Sequence, residues 1–163
     1  MYRKFLFIVA LPMAIISCSK SDKSCGLTLS TDTAPASEVA DVQAYLTSKS
    51  ITADQHPSGL FYKIHQPGSG DVPGACSVVT VKYKGSLSNG TGFDSSYKTS
   101  PNGYPFTLGD RLIAGWQLGV PLIKKGGSIT LYIPPSLGYK AAGSGPIPPN
   151  SILIFNIDLV DVQ

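Results

Sequence analysis

Three segments of this chain are apolar at every second residue, and that period restricts the fold more than any other feature of the sequence. Val79, Val81, Tyr83 and Leu87 alternate with Thr80, Lys82, Lys84 and Ser86. Ile129, Leu131 and Ile133 alternate with Ser128, Thr130 and Tyr132, while Leu153, Phe155, Ile157 and Leu159 share a side opposite Asn156 and Asp158. Successive side chains of a strand point to opposite faces. Each segment therefore predicts a strand with one buried face, the habit of antiparallel sheets. Leu60 to His65 is a further candidate strand, and Asn89-Gly90 predicts a turn after the first long one. The 17 glycines and 13 prolines fit a fold with many turns.

Between these strands, Leu112, Ile113, Trp116 and Val120 recur at helical spacing, although Gly115 and Gly119 weaken a helix there. A short helix across the buried face of an antiparallel sheet is an α+β architecture. Upstream, Ser37 to Ser50 predicts another helix. Ser37 can cap it, Glu38 suits its positive end, and Val39, Val42 and Leu46 make an apolar face. That face is expected to pack on the domain or on a second copy, the latter giving a dimer through the N-terminal helix. His56-Pro57-Ser58-Gly59 then breaks the chain.

The first residues predict export. Arg3 and Lys4 precede an apolar run from Phe5 to Ile16, too short to span a bilayer and suited to a secretory leader. Ser17-Cys18 directly after it resembles a bacterial lipobox, with Ala14 where leucine is usual. Residues 1–17 would be a signal peptide and Cys18 a lipidated N-terminus, held to a membrane by its buried methylenes. The expected location is the periplasmic side of a bacterial membrane; Ser19, rather than aspartate, points to the outer one by analogy with well-studied bacteria. Residues 18–36, rich in Ser, Thr, Lys and Asp, predict a flexible tether. Residues 37–57 are helix and linker, and 58–163 the main domain. A Cys25–Cys76 bridge suits an oxidising compartment. A cysteine in a mobile tether lends it no geometric support, so unpaired thiols are the expectation.

Most chemistries are poorly supported. The formal charge of +3 falls to about +1 without Arg3 and Lys4, since 13 basic residues become 11 against 10 acidic ones. No basic cluster is interleaved with aromatics, so nucleic acid is not an expected partner. HExxH, CxxC and GxSxG are absent. His56 and His65 have no second ligand or nucleophile spaced to join them and read as surface histidines; no metal or cofactor is expected. Asp94 has no acidic neighbour for hydrolysis. What remains is an aromatic site with few polar groups, centred on the only tryptophan, Trp116.

Six segments carry a resemblance. Val81-Lys82-Tyr83-Lys84-Gly85, Phe93-Asp94-Ser95-Ser96, Ile113-Ala114-Gly115-Trp116-Gln117-Leu118-Gly119-Val120, Gly138-Tyr139, Ile147-Pro148-Pro149-Asn150 and Leu153-Ile154-Phe155 stand in the order seen in FKBP-type peptidyl-prolyl cis-trans isomerases. From about Ser58 to Gln163 the chain resembles that family. The resemblance implies a curved antiparallel sheet wrapped around a short helix, with a proline site between them. It implies Trp116 as the floor, and Tyr83, Phe93, Phe106, Leu112, Ile113 and Phe155 as walls. It further implies Asp94 as a polar handle, and a Tyr139 hydroxyl that donates to a substrate carbonyl. Read from the residues alone, Trp116, Ile113 and Phe155 could be plain core. Tyr83 and Tyr139 could be surface tyrosines, and Asp94 could cap a turn with Ser95 and Ser96.

The implied activity is isomerisation of prolyl bonds in exported, folding polypeptides, with no cofactor. The alternative is a module that grips proline segments as a chaperone or adaptor with little turnover. The chain departs from the family pattern at Gly109-Asp110-Arg111-Leu112 and Ala141 to Ile147, each short by one residue. It departs also at Lys140, where glycine is usual, and at Leu137, where an aromatic is common. A changed rim above the site is expected.

Overall fold

Seven antiparallel strands form one sheet in the computed structural model, which describes residues 25–97 and 99–163. They are β1 (Asp54–Gln55), β2 (Phe61–Gln66), β3 (Val78–Leu87), β4 (Gly92–Ser95), β5 (Tyr104–Thr107), β6 (Ser128–Ile133) and β7 (Leu153–Val162). Two helices, α1 (Ala36–Ser48) and α2 (Ala114–Gly119), accompany them. The sheet order is β1-β2-β6-β7-β3-β4, with β5 also on β3. β7 lies along nearly all of β3, from Val79↔Val162 to Leu87↔Leu153. β4 and β5 therefore divide the opposite edge of β3, β4 at Lys84–Ser86 and β5 at Val78–Val81. Residues 1–17, the expected signal peptide, and Cys18 lie outside the described residues. Among those described, no helix is long and apolar enough to cross a membrane.

The long strands form where the alternation predicts them. β1, β4 and β5 are too short to carry a period of their own. β5 also holds Pro105, opposite Thr80, which has no N–H to donate and so suits an edge strand. The core on the concave side gathers Val79, Val81, Ile129, Leu131, Ile133, Leu153, Phe155, Ile157 and Leu159 with Trp116 and Val120.

The sheet is not half-solvated, as alternation alone predicts. Tyr132 and Ile154, on the nominally outer face, are buried with Phe61 beneath Val42 and Leu46 of α1. The apolar face of α1 is thus covered by the chain's own sheet. Pro35, not Ser37, occupies the N-cap position, with no side-chain cap, and Ser37 sits inside the first turn. Glu38 lies in the first turn, at the positive end as expected, and accepts a 2.8 Å hydrogen bond from the Ser136 N–H.

Residues 25–35 are not a free tether. Leu29 and Ala34 pack against the core, and the Ala34 N–H donates to the Ser58 carbonyl at 2.8 Å. Cys25 and Cys76 are joined as a disulfide, correcting the expectation of free thiols. Packing of the strap on the domain supplies the proximity that sequence separation withholds.

α2 begins at Ala114, two residues later than the apolar spacing suggests, because Ile113 is extended (φ −58°, ψ 145°). Its glycines have a packing reason. A Cβ on Gly115 would lie 2.6 Å from Ile133 Cγ2, and one on Gly119 2.6 Å from both Leu131 δ-methyls. Glycine weakens the helix but lets it lie directly on β6.

Candidate functional site

That close seating of α2 carries Trp116 into the concave side of the sheet, where it is 4% exposed. Three rings stand edge-on to the indole with centroids 5.2 Å away: Tyr83 from β3 at 84°, Phe106 from β5 at 73° and Phe155 from β7 at 90°. Edge-to-face pairs set a positive ring edge against a negative face, each worth about 0.5–1.5 kcal/mol beyond burial. The indole is thereby fixed by three strands at once. Its Nε1 is buried without a hydrogen-bond partner among the described residues.

Phe93 enters by a different device. The β3–β4 register slips between Gly85 and Ser86, so Gly85 faces Asp94, Ser86 faces Gly92, and Phe93 is the extra residue. In a regular strand Phe93 and Asp94 would point to opposite faces; the bulge lets both line the same groove. Gly85 makes room for this. A Cβ there would lie 2.5 Å from Phe93 Cε2 and 2.9 Å from Phe155 Cε1. The Phe93 and Phe155 rings then meet at 5.4 Å and 79°.

These side chains enclose an open groove of about 440 Å³. All nine residues singled out from the sequence line it: Trp116, Tyr83, Phe93, Phe106 and Phe155, with Leu112 and Ile113 on one wall, and Asp94 and Tyr139 as polar groups. The Tyr83 hydroxyl donates to Asp94 Oδ2 at 2.7 Å, and the Ser95 N–H donates to Asp94 Oδ1 at 2.7 Å. Buried Ser96 ties this corner to β3, accepting from the Tyr83 N–H at 2.8 Å and donating its own N–H to the Tyr83 carbonyl at 3.0 Å. Burial first, then the Asp94 carboxylate, pushes the Tyr83 phenol far above its usual range. Tyr139 is raised too, by burial and then by Asp94. Both hydroxyls therefore stay protonated donors at neutral pH.

The rim holds Arg111, Ser144, Gly145, Pro146 and Ile147, which lie in the two shortened segments where a changed rim is expected. Ile147 lay within a recognised motif, whereas Arg111 carried no signal beyond the shortened segment around it. Arg111 is left-handed (φ 47°) with a side chain 95% exposed. Lys140 is not among the lining residues. It is also left-handed (φ 56°), the physical reason glycine suits that position. Its ammonium lies 3.9 Å from Asp32. The rim above the site is accordingly the Ser144–Ile147 turn, closed by the Ser144↔Ile147 bridge, not Lys140.

No cluster of three or more metal-ligating side chains occurs among the described residues. The groove offers a largely aromatic lining, one oriented carboxylate and one phenol donor. It contains no nucleophile held by a base. Such a site can bind an apolar ring and change the polarity around an attached amide.

Known proteins provide an independent comparison. Residues 70–160 match the family model described as FKBP-type peptidyl-prolyl cis-trans isomerase. The chain is 52% identical over 108 residues to the FKBP-type peptidyl-prolyl cis-trans isomerase FkpA of Buchnera aphidicola subsp. Schizaphis graminum, covering 65% of this chain and 42% of that one. It is 46% identical over 106 residues to FkpA of Escherichia coli K12, covering 65% and 38%. The chain therefore spans about two-fifths of the length of these curated relatives. Among solved structures, FkpA from Escherichia coli superposes with a TM-score of 0.69 at 40% identity, over 78% of this chain and 60% of that one. A peptidyl-prolyl cis-trans isomerase from Pseudomonas syringae superposes at 0.66 and 28% identity, over 82% and 99%.

Proposed function

Because the chain belongs to the FKBP-type peptidyl-prolyl cis-trans isomerase family, we propose that it isomerises prolyl bonds in folding polypeptides by a non-covalent mechanism. The observation that carries this reading is the groove floored by Trp116, with three rings edge-on to the indole and Asp94 held at the side.

Rotation about the prolyl bond is opposed by amide resonance, a barrier of about 18–20 kcal/mol. In the planar amide, charge is separated onto oxygen and nitrogen, and water stabilises that form. In the twisted form resonance is lost and the nitrogen becomes pyramidal. A water-excluding aromatic groove therefore binds the twisted form better relative to water, which lowers the barrier by differential binding. The proline ring would rest on Trp116 between Tyr83, Phe106 and Phe155. The Tyr139 hydroxyl would donate to a substrate carbonyl, and Asp94 would face the polarised amide. No proton or covalent bond is exchanged.

Cys18 would carry the lipid anchor and hold the domain at a membrane facing the periplasm, with exported proteins as clients. Mass spectrometry of the mature N-terminus checks this part: acylated Cys18 is expected, and an unmodified residue downstream would refute it. A dimer through α1 would have to use its polar side, because the apolar side is covered by β2, β6 and β7 residues.

The catalytic reading is tested by proline-limited refolding of a model protein. Acceleration by the wild type is expected, with most of it lost in Asp94→Ala and Trp116→Ala. Affinity for a proline peptide without any acceleration would select a binding module instead.

A further inference from the structure

A strap of residues 25–34 packs on the domain, and its Ser30 is bonded to a side chain that also holds a wall of the groove. Cys25 fixes its start to Cys76. Leu27 and Thr28 lie so close to Gly109 that a Cβ there would be 3.0 Å from Leu27 Cβ and from the Thr28 carbonyl oxygen. The Ser30 backbone N–H then donates to Gln117 Oε1 at 2.9 Å. The Nε2 of the same amide donates to the Leu112 carbonyl at 2.7 Å. A backbone N–H can only donate and a carbonyl only accept, so the amide has one orientation that satisfies both ends. Leu112 and Ile113 form one wall of the groove, and the Ile113 carbonyl accepts the Trp116 N–H at 3.0 Å. Gln117 thus joins a segment far away in sequence to the wall beside the indole. Gln117 is not itself a lining residue of the groove.

We propose that Gln117 is a positioning residue of the groove: it transmits the seating of the 25–34 strap to the Leu112–Ile113 wall, so that peptide affinity depends on the strap being attached. This rests on the isomerase reading above. With the strap seated, the Leu112 carbonyl is held and the wall stands at a fixed distance from Trp116. With either hydrogen bond lost, the wall is free to move, and ordering it falls to the incoming peptide.

The test is a mutant cycle in the full-length chain. Gln117→Leu removes both hydrogen bonds. Gln117→Glu keeps the acceptor for Ser30 but sets a carboxylate oxygen against the Leu112 carbonyl. Cys25→Ser/Cys76→Ser frees the start of the strap and leaves Gln117 intact. The readouts are KM and kcat on a proline tetrapeptide, amide hydrogen exchange over residues 112–117, and thermal unfolding. Gln117→Leu is expected to raise KM roughly five- to tenfold, the size of one lost hydrogen bond, with kcat changed less than about twofold. Exchange over 112–117 should quicken with it. Gln117→Glu should raise KM similarly while Ser30 stays protected. The cysteine double variant should raise KM alone but add nothing on top of Gln117→Leu, because both act through one link. Additive effects, or an unchanged KM in an active enzyme, overturn the proposal. If Gln117→Leu does not fold, Gln117→Glu takes its place in the cycle. If the wild type shows no turnover, the isomerase reading fails, and hydrogen exchange still decides: unchanged protection over 112–117 on strap release overturns the link.

Discussion

The Tyr83 hydroxyl is bonded to Asp94 Oδ2 at 2.7 Å, so the carboxylate of the groove is oriented by one of the rings that packs on Trp116. With Ser95 N–H on the other oxygen, the charge is aimed before any peptide arrives. Preorganised groups of this kind need no rearrangement at the moment of reaction.

Tyr83→Phe keeps the ring and removes that bond. The expected loss is about 1 kcal/mol in stability and a roughly fivefold fall in kcat/KM. Refolding kinetics and a urea melt check both. Unaltered kinetics would mean the hydroxyl bond serves the fold alone.

Gly85→Ala separates packing from backbone preference. β3 is extended at this point, so alanine suits the backbone, but its Cβ would collide with Phe93 and Phe155. Overpacking of this kind costs about 1–3 kcal/mol. The Phe93 ring should be displaced and peptide affinity should fall, measured by titration of Trp116 fluorescence.

For Gly119→Ala two effects oppose each other. Helix propensity favours alanine by about 1 kcal/mol. The new methyl, however, would come 2.6 Å from both δ-methyls of Leu131, which is fully buried in the core. Packing should win, with a net loss of about 1–2 kcal/mol in denaturant unfolding. A rise in stability would show that α2 can lift from β6.

Trp116→Leu removes the centre of three edge-to-face pairs and leaves a cavity under the groove. A stability loss of about 3 kcal/mol is expected, with turnover on proline peptides reduced far more than by Tyr83→Phe. Equal effects of the two variants on turnover would argue against the indole as the floor.

At alkaline pH the tyrosines should govern stability. Burial and the 2.6 Å bond to Asp158 push Tyr97 up to about 12. An unfolded phenol loses its proton near 10. The raised value means that this contribution is fully present below about pH 10 and is lost as pH rises towards 12. Tyr83, Tyr132 and Tyr139 are shifted in the same direction. Urea unfolding followed from neutral pH upwards should show stability falling from about pH 10, with a shallower fall in Tyr97→Phe.

Much of the fold was legible in the sequence because its causes are local. The two-residue period of Val79–Leu87, Ile129–Ile133 and Leu153–Leu159 required strands, and the family resemblance that motif order carries implied the nine side chains that the structure brings to one groove. Tertiary structure alone decided the rest. The period could not reveal that Tyr132 and Ile154 would be covered by α1, because burial of an outer face depends on a helix from elsewhere. The helical penalty of Gly115 and Gly119 was visible, but its compensation, close contact with Ile133 and Leu131, was not. Residues 25–35 read as a tether because their composition is polar. They are ordered by a disulfide to Cys76, by the Ala34–Ser58 bond and by the Ser30–Gln117 bond, partners that no local pattern specifies. Periodicity records what each segment needs to bury, and only the packed chain determines against what.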